Sequence, residues 1–138
     1  MTISQEVLDV YKKFRTGNAA CAAMVLKVNK EALTLDLDEC YDDSTPEEIA
    51  EDLSLSAPRF IVFSYKITRA DGRVQIPLCL VYYSPTSGNP ALNMLYTRAK
   101  PVLITQLSID DSKVYTIQEA DTLTAEWLHD TLCKSYTR

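Results

Sequence analysis

The chain has 138 residues, of which 46% are hydrophobic and 24% charged, a composition typical of an ordinary soluble globular protein. Its formal net charge of −5 argues against a nucleic-acid-binding surface, which needs an excess of lysine and arginine. No stretch approaches the ~20 apolar residues of a membrane span, and the amphipathic start is unlike a signal peptide. We therefore expect one domain over residues 1–138, in the cytoplasm and small enough to diffuse into the nucleus.

The first part of the chain alternates helix and strand patterns. Apolar residues recur at helical spacing from Gln5 to Arg15. Residues Ala22 to Val28 and Leu33 to Asp38 are predicted to form two strands, joined by a short Asn29-Lys30-Glu31 turn. The segment Thr45 to Leu53 opens with Thr, Pro and Glu in the order of a capping box, which predicts a short helix.

The segment Pro58 to Pro85 predicts two long apolar strands folded about a tight turn at Ala70 to Arg73. The turn contains Asp-Gly, the strongest short-range hairpin signal, because Gly takes positive φ at no steric cost. Apolar side chains alternate to both faces from Phe60 onward, which is typical of a central strand covered by helices on each side. Pro77 in the second strand predicts a bulge, since proline cannot donate to the ladder.

The last part of the chain predicts the longest helix, opened by an Asn89 cap and a following proline. Pro101 is expected to kink or break it. A strand from Lys113 to Ile117 and a helix from about Thr124 to Lys134 follow. The expected inward residues of the long helix are Leu92, Leu95, Tyr96, Ala99 and Leu103, and the expected outward ones are Asn93, Met94, Thr97 and Arg98. The order of elements indicates an α+β sandwich, with a central mixed five- to six-stranded sheet and helices on both faces.

Catalytic motifs are missing from the sequence. It has only three glycines and no phosphate-binding or nucleophile-elbow pattern. The single histidine, His129, and four cysteines without a CxxC pair cannot complete a zinc site at common spacing. Cys21 and Cys79 fall in apolar strand patterns. Cys40 and Cys133 do not, so a thiol-dependent enzyme that uses one of them stays an alternative. We expect no enzyme activity, no cofactor and no metal, and a protein-binding module instead.

Several segments carry a family resemblance, and they follow one another over nearly the whole chain. They are Lys13-Phe14-Arg15, PRFIVFSYK from Pro58, DGRV from Asp71, PLC from Pro77, Ser84-Pro85, Met94-Leu95-Tyr96, Ala99-Lys100, and LTAEWL from Leu123. The chain thereby resembles the glia maturation factor family, a branch of the actin-depolymerising factor (ADF)/cofilin homology fold. Proline directly after Lys100 and Ala70-Asp71 before the hairpin turn depart from the family pattern.

The resemblance implies a non-catalytic function on the actin cytoskeleton. It implies binding to the actin-related protein 2/3 complex, inhibition of branch nucleation and promotion of filament debranching. The partners expected are that complex and, at the branch junction, actin. The protein is expected to be a monomer located at branched cortical actin. No nucleic-acid partner and no membrane insertion are expected. The alternative is cofilin-like binding and severing of actin filaments, which the fold alone does not exclude.

The resemblance also implies two partner-binding surfaces. The first surface, expected against an actin-related subunit, comprises the chain start, the basic end of the first helix, the outward face of the long helix and the turn before the last helix. Its named residues are Lys13, Arg15, Met94, Arg98 and Lys100. The second surface, expected against the first actin of the daughter filament, includes Asp71, Arg73 and Glu126. Thr2 and Ser4 at the chain start are candidate phosphorylation sites, where a phosphate adds ~−1.5 to −2 charges.

Overall fold

The computed structural model describes residues 2–15, 21–41, 44–53, 57–68, 71–75, 78–85, 89–109 and 114–136. Within these residues, six strands form one mixed sheet in the order β1-β3-β2-β4-β7-β8, and β5 pairs with β6 in a separate ladder. In chain order the strands are β1 (Thr2–Ile3), β2 (Cys21–Asn29), β3 (Thr34–Tyr41), β4 (Arg59–Tyr65), β5 (Ile67–Thr68), β6 (Val74–Gln75), β7 (Leu78–Tyr83) and β8 (Val114–Ile117).

The helices pack on both faces of this sheet. They are α1 (Gln5–Arg15), α2 (Pro46–Glu51), α3 (Pro90–Gln106) and α4 (Ala125–Tyr136), with a 3₁₀ turn at Ala120–Thr122 before α4. The predicted caps of α2 and α3 are confirmed. The Thr45 hydroxyl accepts the Glu48 N–H at 3.2 Å, and the Asn89 side chain accepts the Ala91 N–H at 2.8 Å. Each helix therefore begins where the sequence predicts.

The core lies in two apolar clusters, one on each face of the sheet. The first contains Phe60 and Val62 of β4 and is covered by α1 and α3, whereas the second contains Ile61 and Phe63 and is covered by α2 and α4. Because β4 pairs with β2 on one side and β7 on the other, it is a central strand, as its apolar alternation predicted. The α+β architecture with a mixed sheet and helices on both faces is confirmed.

Three local expectations need correction. The strands β4 and β7 are antiparallel neighbours, but the tip of their hairpin is the separate β5–β6 ladder, with Gly72 at φ +90. At Pro101 the sequence predicts a kink or a break, and α3 continues through this residue, so the helix is not broken there. Asn93 is half-buried rather than outward, because its side-chain oxygen accepts the Ser84 hydroxyl at 3.5 Å. Pro77, where a bulge was expected, lies outside the described residues.

The tolerance of Pro101 has a tertiary cause. Its side chain is exposed on α3, while Tyr96, Ala99 and Leu103 on either side are buried against the sheet. The helix therefore keeps packing on both sides of the position where proline removes one backbone hydrogen bond. This apolar packing offsets the local cost, which is why the helix is not interrupted.

Tyr41 links the end of β3 to the end of α2. This contact predicts that the free energy of unfolding depends on pH in the alkaline range. Its hydroxyl donates to the Asp52 carboxylate. Burial, followed by this hydrogen bond and the charge of Asp52, raises the pKa of Tyr41 well above its usual range. The folded chain therefore holds the phenol proton more tightly than the unfolded chain, so this contribution is fully present below about pH 10 and is lost as pH rises through the folded pKa.

We expect Tyr41→Phe to lower the free energy of unfolding by about 1 kcal/mol at pH 7, since it removes one hydrogen bond. The same variant should flatten the loss of stability above about pH 10. Urea unfolding of both proteins between neutral and alkaline pH measures the two effects. An unchanged alkaline slope in the variant would show that another group controls this dependence.

Candidate interaction surface

The outward side of α3 forms a cleft with the turn between β2 and β3. The cleft has a volume of about 400 Å³ and is open to solvent. Met94 is 61% exposed at this site, and Arg98 and Lys30 are the cationic residues of its lining. We call this site the α3 cleft, and its lining residues are Lys30, Asn89, Ala91, Leu92, Met94, Leu95 and Arg98.

The helix α3 presents Met94 and Arg98 together because residues four apart lie on the same helix face. Behind them, the buried Tyr96 fixes the helix against the sheet. Its ring stacks on Phe60 with centroids 5.5 Å apart, and its hydroxyl accepts the Val28 N–H at 2.9 Å. The exposed face of α3 is therefore held by a rigid contact on its inner face.

Lys30 reaches the α3 cleft because the β2–β3 turn has a defined shape. The Asn29 side-chain oxygen accepts the backbone N–H groups of Glu31 and Ala32, each at 3.1 Å. Leu33 then adopts φ 54, and its carbonyl accepts the Thr2 N–H at 3.2 Å. The chain start is thereby tied to this turn. The sequence interpretation treated Lys30 only as a turn residue, since nothing local places it beside α3.

The remaining residues of the first surface are spread along α1 and α3. Lys13 is exposed, but the hydroxyl of nearby Tyr11 donates to the Leu107 carbonyl at 2.8 Å. Because Leu107 follows α3 and lies roughly 20 Å along the helix axis from Met94, Lys13 is near the opposite end of α3 from the cleft. Lys100 is half-buried on α3. Arg15 ends α1, and its side chain lies outside the described part of the chain.

The turn before the last helix, also expected in the first surface, packs on the other side of the sheet from α3. Leu123 is buried there in the cluster covered by α2 and α4, and the Ala125 N–H donates to the Glu47 carboxylate at 2.9 Å. This segment therefore contacts α2. The α3 cleft itself is built without it.

The residues of the second surface lie on two separate elements. At the tip of the hairpin, Arg73 Nε is 2.7 Å from Asp71 Oδ2, and the Arg73 N–H donates to Asp71 Oδ1 at 3.1 Å. Both side chains are exposed, so this ion pair contributes little to stability and is accessible from solvent. Glu126 is exposed in the first turn of α4.

The candidate phosphorylation sites lie at the start of the chain. Thr2 is exposed at the beginning of β1. The Ser4 hydroxyl accepts the Val7 N–H at 3.4 Å, and the Ser4 carbonyl accepts the Leu8 N–H, so Ser4 occupies the cap position of α1. A phosphate on Ser4 would therefore be at a helix N-terminus, where negative charge is favourable.

The histidine and the cysteines whose side chains are described lie on different elements of the fold. Cys79 is buried in the sheet, Cys40 is exposed on β3, and His129 is exposed on α4 with its ring 6.3 Å from that of Tyr65. The side chains of Cys21 and Cys133 lie outside the described residues. Where side chains are described, no group of three or more His, Cys, Asp or Glu could hold a metal ion. The described helices include none long and apolar enough to span a membrane.

Comparison with known proteins gives a consistent assignment. A family model described as cofilin/tropomyosin-type actin-binding protein matches residues 1–133. Glia maturation factor from Drosophila melanogaster is 39% identical over 91% of this chain and 91% of its own length. The chain belongs to the glia maturation factor family. Human glia maturation factor beta is 34% identical, covering 94% of this chain and 91% of that protein.

The fold comparison agrees with the family assignment. The solution structure of glia maturation factor from Caenorhabditis elegans superimposes with a TM-score of 0.81 at 30% identity, covering 94% of this chain and 93% of that one. The ADF/cofilin homology fold is thereby confirmed. Membership of this glia maturation factor branch assigns the chain to regulation of the actin cytoskeleton.

Proposed function

We propose that the protein binds the actin-related protein 2/3 complex, inhibits nucleation of new branches and promotes debranching. The observation that carries the proposal is the α3 cleft, whose lining combines the exposed Met94 with the cations Arg98 and Lys30. Methionine and arginine are both enriched in protein interfaces, the first as adaptable apolar area and the second as a charged anchor.

Debranching by this route needs no covalent chemistry. A ligand shifts a conformational equilibrium by the difference between its affinities for the two states. Stronger binding to a conformation of the complex that holds the daughter filament poorly would therefore shorten branch lifetime. The same bound state would reduce new branching if that conformation does not nucleate. We accordingly propose a non-catalytic protein located at branched cortical actin in the cytoplasm.

The second surface supports a contact with actin at the branch junction. Asp71 and Arg73 are held in a fixed turn by their mutual hydrogen bonds and remain exposed. Such a turn can exchange its internal ion pair for contacts to a partner at small cost, since exposed pairs are worth little. Glu126 on α4 adds a further acidic group to this proposal.

The alternative function is cofilin-like binding and severing of actin filaments. The α3 cleft does not exclude this alternative, because the fold alone does not fix the function. The two functions differ in the affinity for bare, unbranched filaments. Strong co-sedimentation with such filaments favours the alternative.

The test combines binding and branch lifetime. We expect immobilised protein to retain the purified actin-related protein 2/3 complex and to retain bare filaments much less. Added to preformed branched filaments, saturating protein should shorten branch lifetime in fluorescence microscopy. Unbranched filaments of the same age provide the control for severing. An unchanged branch lifetime at saturation would contradict the proposal.

Phosphorylation at Ser4 or Thr2 is proposed as a regulator of this binding. The chain start is tied to the β2–β3 turn that carries Lys30, through the hydrogen bond from Thr2 to Leu33. A phosphate there places negative charge near a cleft whose flanking groups are cationic, and so weakens attraction to an acidic partner.

A further inference from the structure

A second cleft lies on the opposite side of the sheet from α3, between α2 and the 3₁₀ turn at Ala120–Thr122. Its volume is about 480 Å³, and we call it the α2 groove. Half-buried Ala50 and Ala120 and the buried Leu123 give it an apolar lining. The complete lining is Glu47, Ala50, Glu51, Ala120, Asp121, Leu123 and Thr124.

Acidic side chains border the groove on both sides. Glu47 and Glu51 are exposed and four residues apart on α2, so they lie on one helix face, and the exposed Asp121 lies across from them. In the described part of the chain, none of the three carboxylates forms a salt bridge with lysine or arginine. The groove therefore concentrates negative potential around an apolar lining.

The walls of the groove are joined by a long-range contact. The Glu47 carboxylate accepts the Ala125 N–H at 2.9 Å, which connects the first turn of α2 to the start of α4. Ile49, on the inner face of α2, is fully buried in the same cluster as Leu123. Both walls are therefore anchored to the core, and the site is preformed.

We propose that the α2 groove binds a basic amphipathic segment of a partner protein. An apolar side chain of that segment would enter the groove between Ala50 and Leu123. Lysine or arginine residues flanking it would meet Glu51 on one side and Asp121 on the other. Charge complementarity of this kind, around a small apolar contact, is how amphipathic helices dock in grooves.

A basic partner fits the groove better than a second copy of this chain. Each copy carries a formal net charge of −5, so two copies repel one another over long range. A partner with clustered lysine and arginine is attracted to the same groove. The α2 groove lies on the other face of the sheet from the α3 cleft, so both can be occupied together.

The test uses a fluorescein-labelled peptide of about twelve residues with lysine and leucine at helical spacing. Fluorescence anisotropy measures its affinity for the full chain, and amide chemical shifts locate its binding site. Two analogues are compared, one with glutamate in place of lysine and one with serine in place of leucine. The double variant Glu51→Lys with Asp121→Lys tests the rim, leaving the structural Glu47 intact. Asp9→Lys with Glu39→Lys is the control, with the same change of charge at exposed sites outside the groove.

We expect shift changes at Ala50, Ala120, Leu123 and Thr124, and at least about tenfold weaker binding to the rim variant than to the control variant. Both peptide analogues should bind weakly. Equal losses of peptide affinity in the two double variants would show that general charge attraction governs binding, and would overturn the proposal. Shift changes centred on α3 would overturn it as well, as would concentration-dependent self-association of the chain through the groove. Arg98→Glu should not weaken binding of the peptide, because Arg98 lies in the α3 cleft and not in the α2 groove. This variant therefore separates failure of the α2 groove proposal from failure of the proposed function.

Discussion

Arg98→Glu is expected to weaken binding to the actin-related protein 2/3 complex by at least about 2 kcal/mol, or roughly 30-fold, if Arg98 is buried on docking. The reversal places a negative charge beside Met94, where the partner is expected to present acidic groups. Arg98 is exposed on α3, and glutamate is a good helix former, so the fold should be retained. Titration of labelled complex measures the loss, and urea unfolding checks stability.

Lys66→Glu is the matched control for this experiment. Lys66 is also exposed and undergoes the same change of charge, but it lies just after β4, outside the α3 cleft. It should change affinity by much less than Arg98→Glu. Equal losses in the two variants would mean that net charge, and not the α3 cleft, governs binding. If Arg98→Glu caused no loss of affinity, the α3 cleft would not be part of the interface.

Tyr96→Ala is expected to cost about 3–5 kcal/mol of the free energy of unfolding. The substitution removes a fully packed aromatic ring that stacks on Phe60, and it leaves the buried N–H of Val28 without its acceptor. A domain stable by only 5–15 kcal/mol loses a large part of its margin in this way. Urea unfolding followed by circular dichroism measures the change.

Tyr96→Phe separates the two contributions. The ring stays, but the hydroxyl that accepts the Val28 N–H is lost, together with its longer contact of 3.5 Å to Arg59 Nη1. The unsatisfied buried donor of Val28 gives an expected cost of about 1–3 kcal/mol. Tyr82→Phe is the control in the same aromatic stack. Its hydroxyl makes only a long contact, 3.4 Å, to the Asn93 carbonyl, so it should cost less. Equal costs for the two phenylalanine variants would contradict this role of Tyr96.

The stability of α3 also bears on function. Tyr96 is the inner anchor of the helix that carries Met94 and Arg98 on its outer face. Tyr96→Phe should therefore retain binding to the partner complex under conditions where it remains folded. Loss of binding by a folded Tyr96→Phe variant would indicate that the position of α3 depends on the hydrogen bonds of the Tyr96 hydroxyl.

The sequence by itself determined the features that depend on neighbours in the chain. The cap at Thr45 needs only a hydroxyl three residues before a backbone N–H, and the cap at Asn89 is similarly local. The two faces of β4 follow from alternation, since successive strand residues point to opposite sides. The family resemblance likewise needed only ordered motifs, and the comparison with known proteins confirmed it.

Only the tertiary structure decided which distant residues meet. Lys30 joins Met94 and Arg98 because the β2–β3 turn and the start of α3 lie at the same end of the sheet, and no local pattern encodes that meeting. The contact from Ala125 to Glu47 spans 78 residues and shapes the α2 groove. Pro101 shows the same limit in reverse. Local rules predict a kink or a break there, but α3 is not broken, because packing of Tyr96, Ala99 and Leu103 against the sheet outweighs the loss of one hydrogen bond.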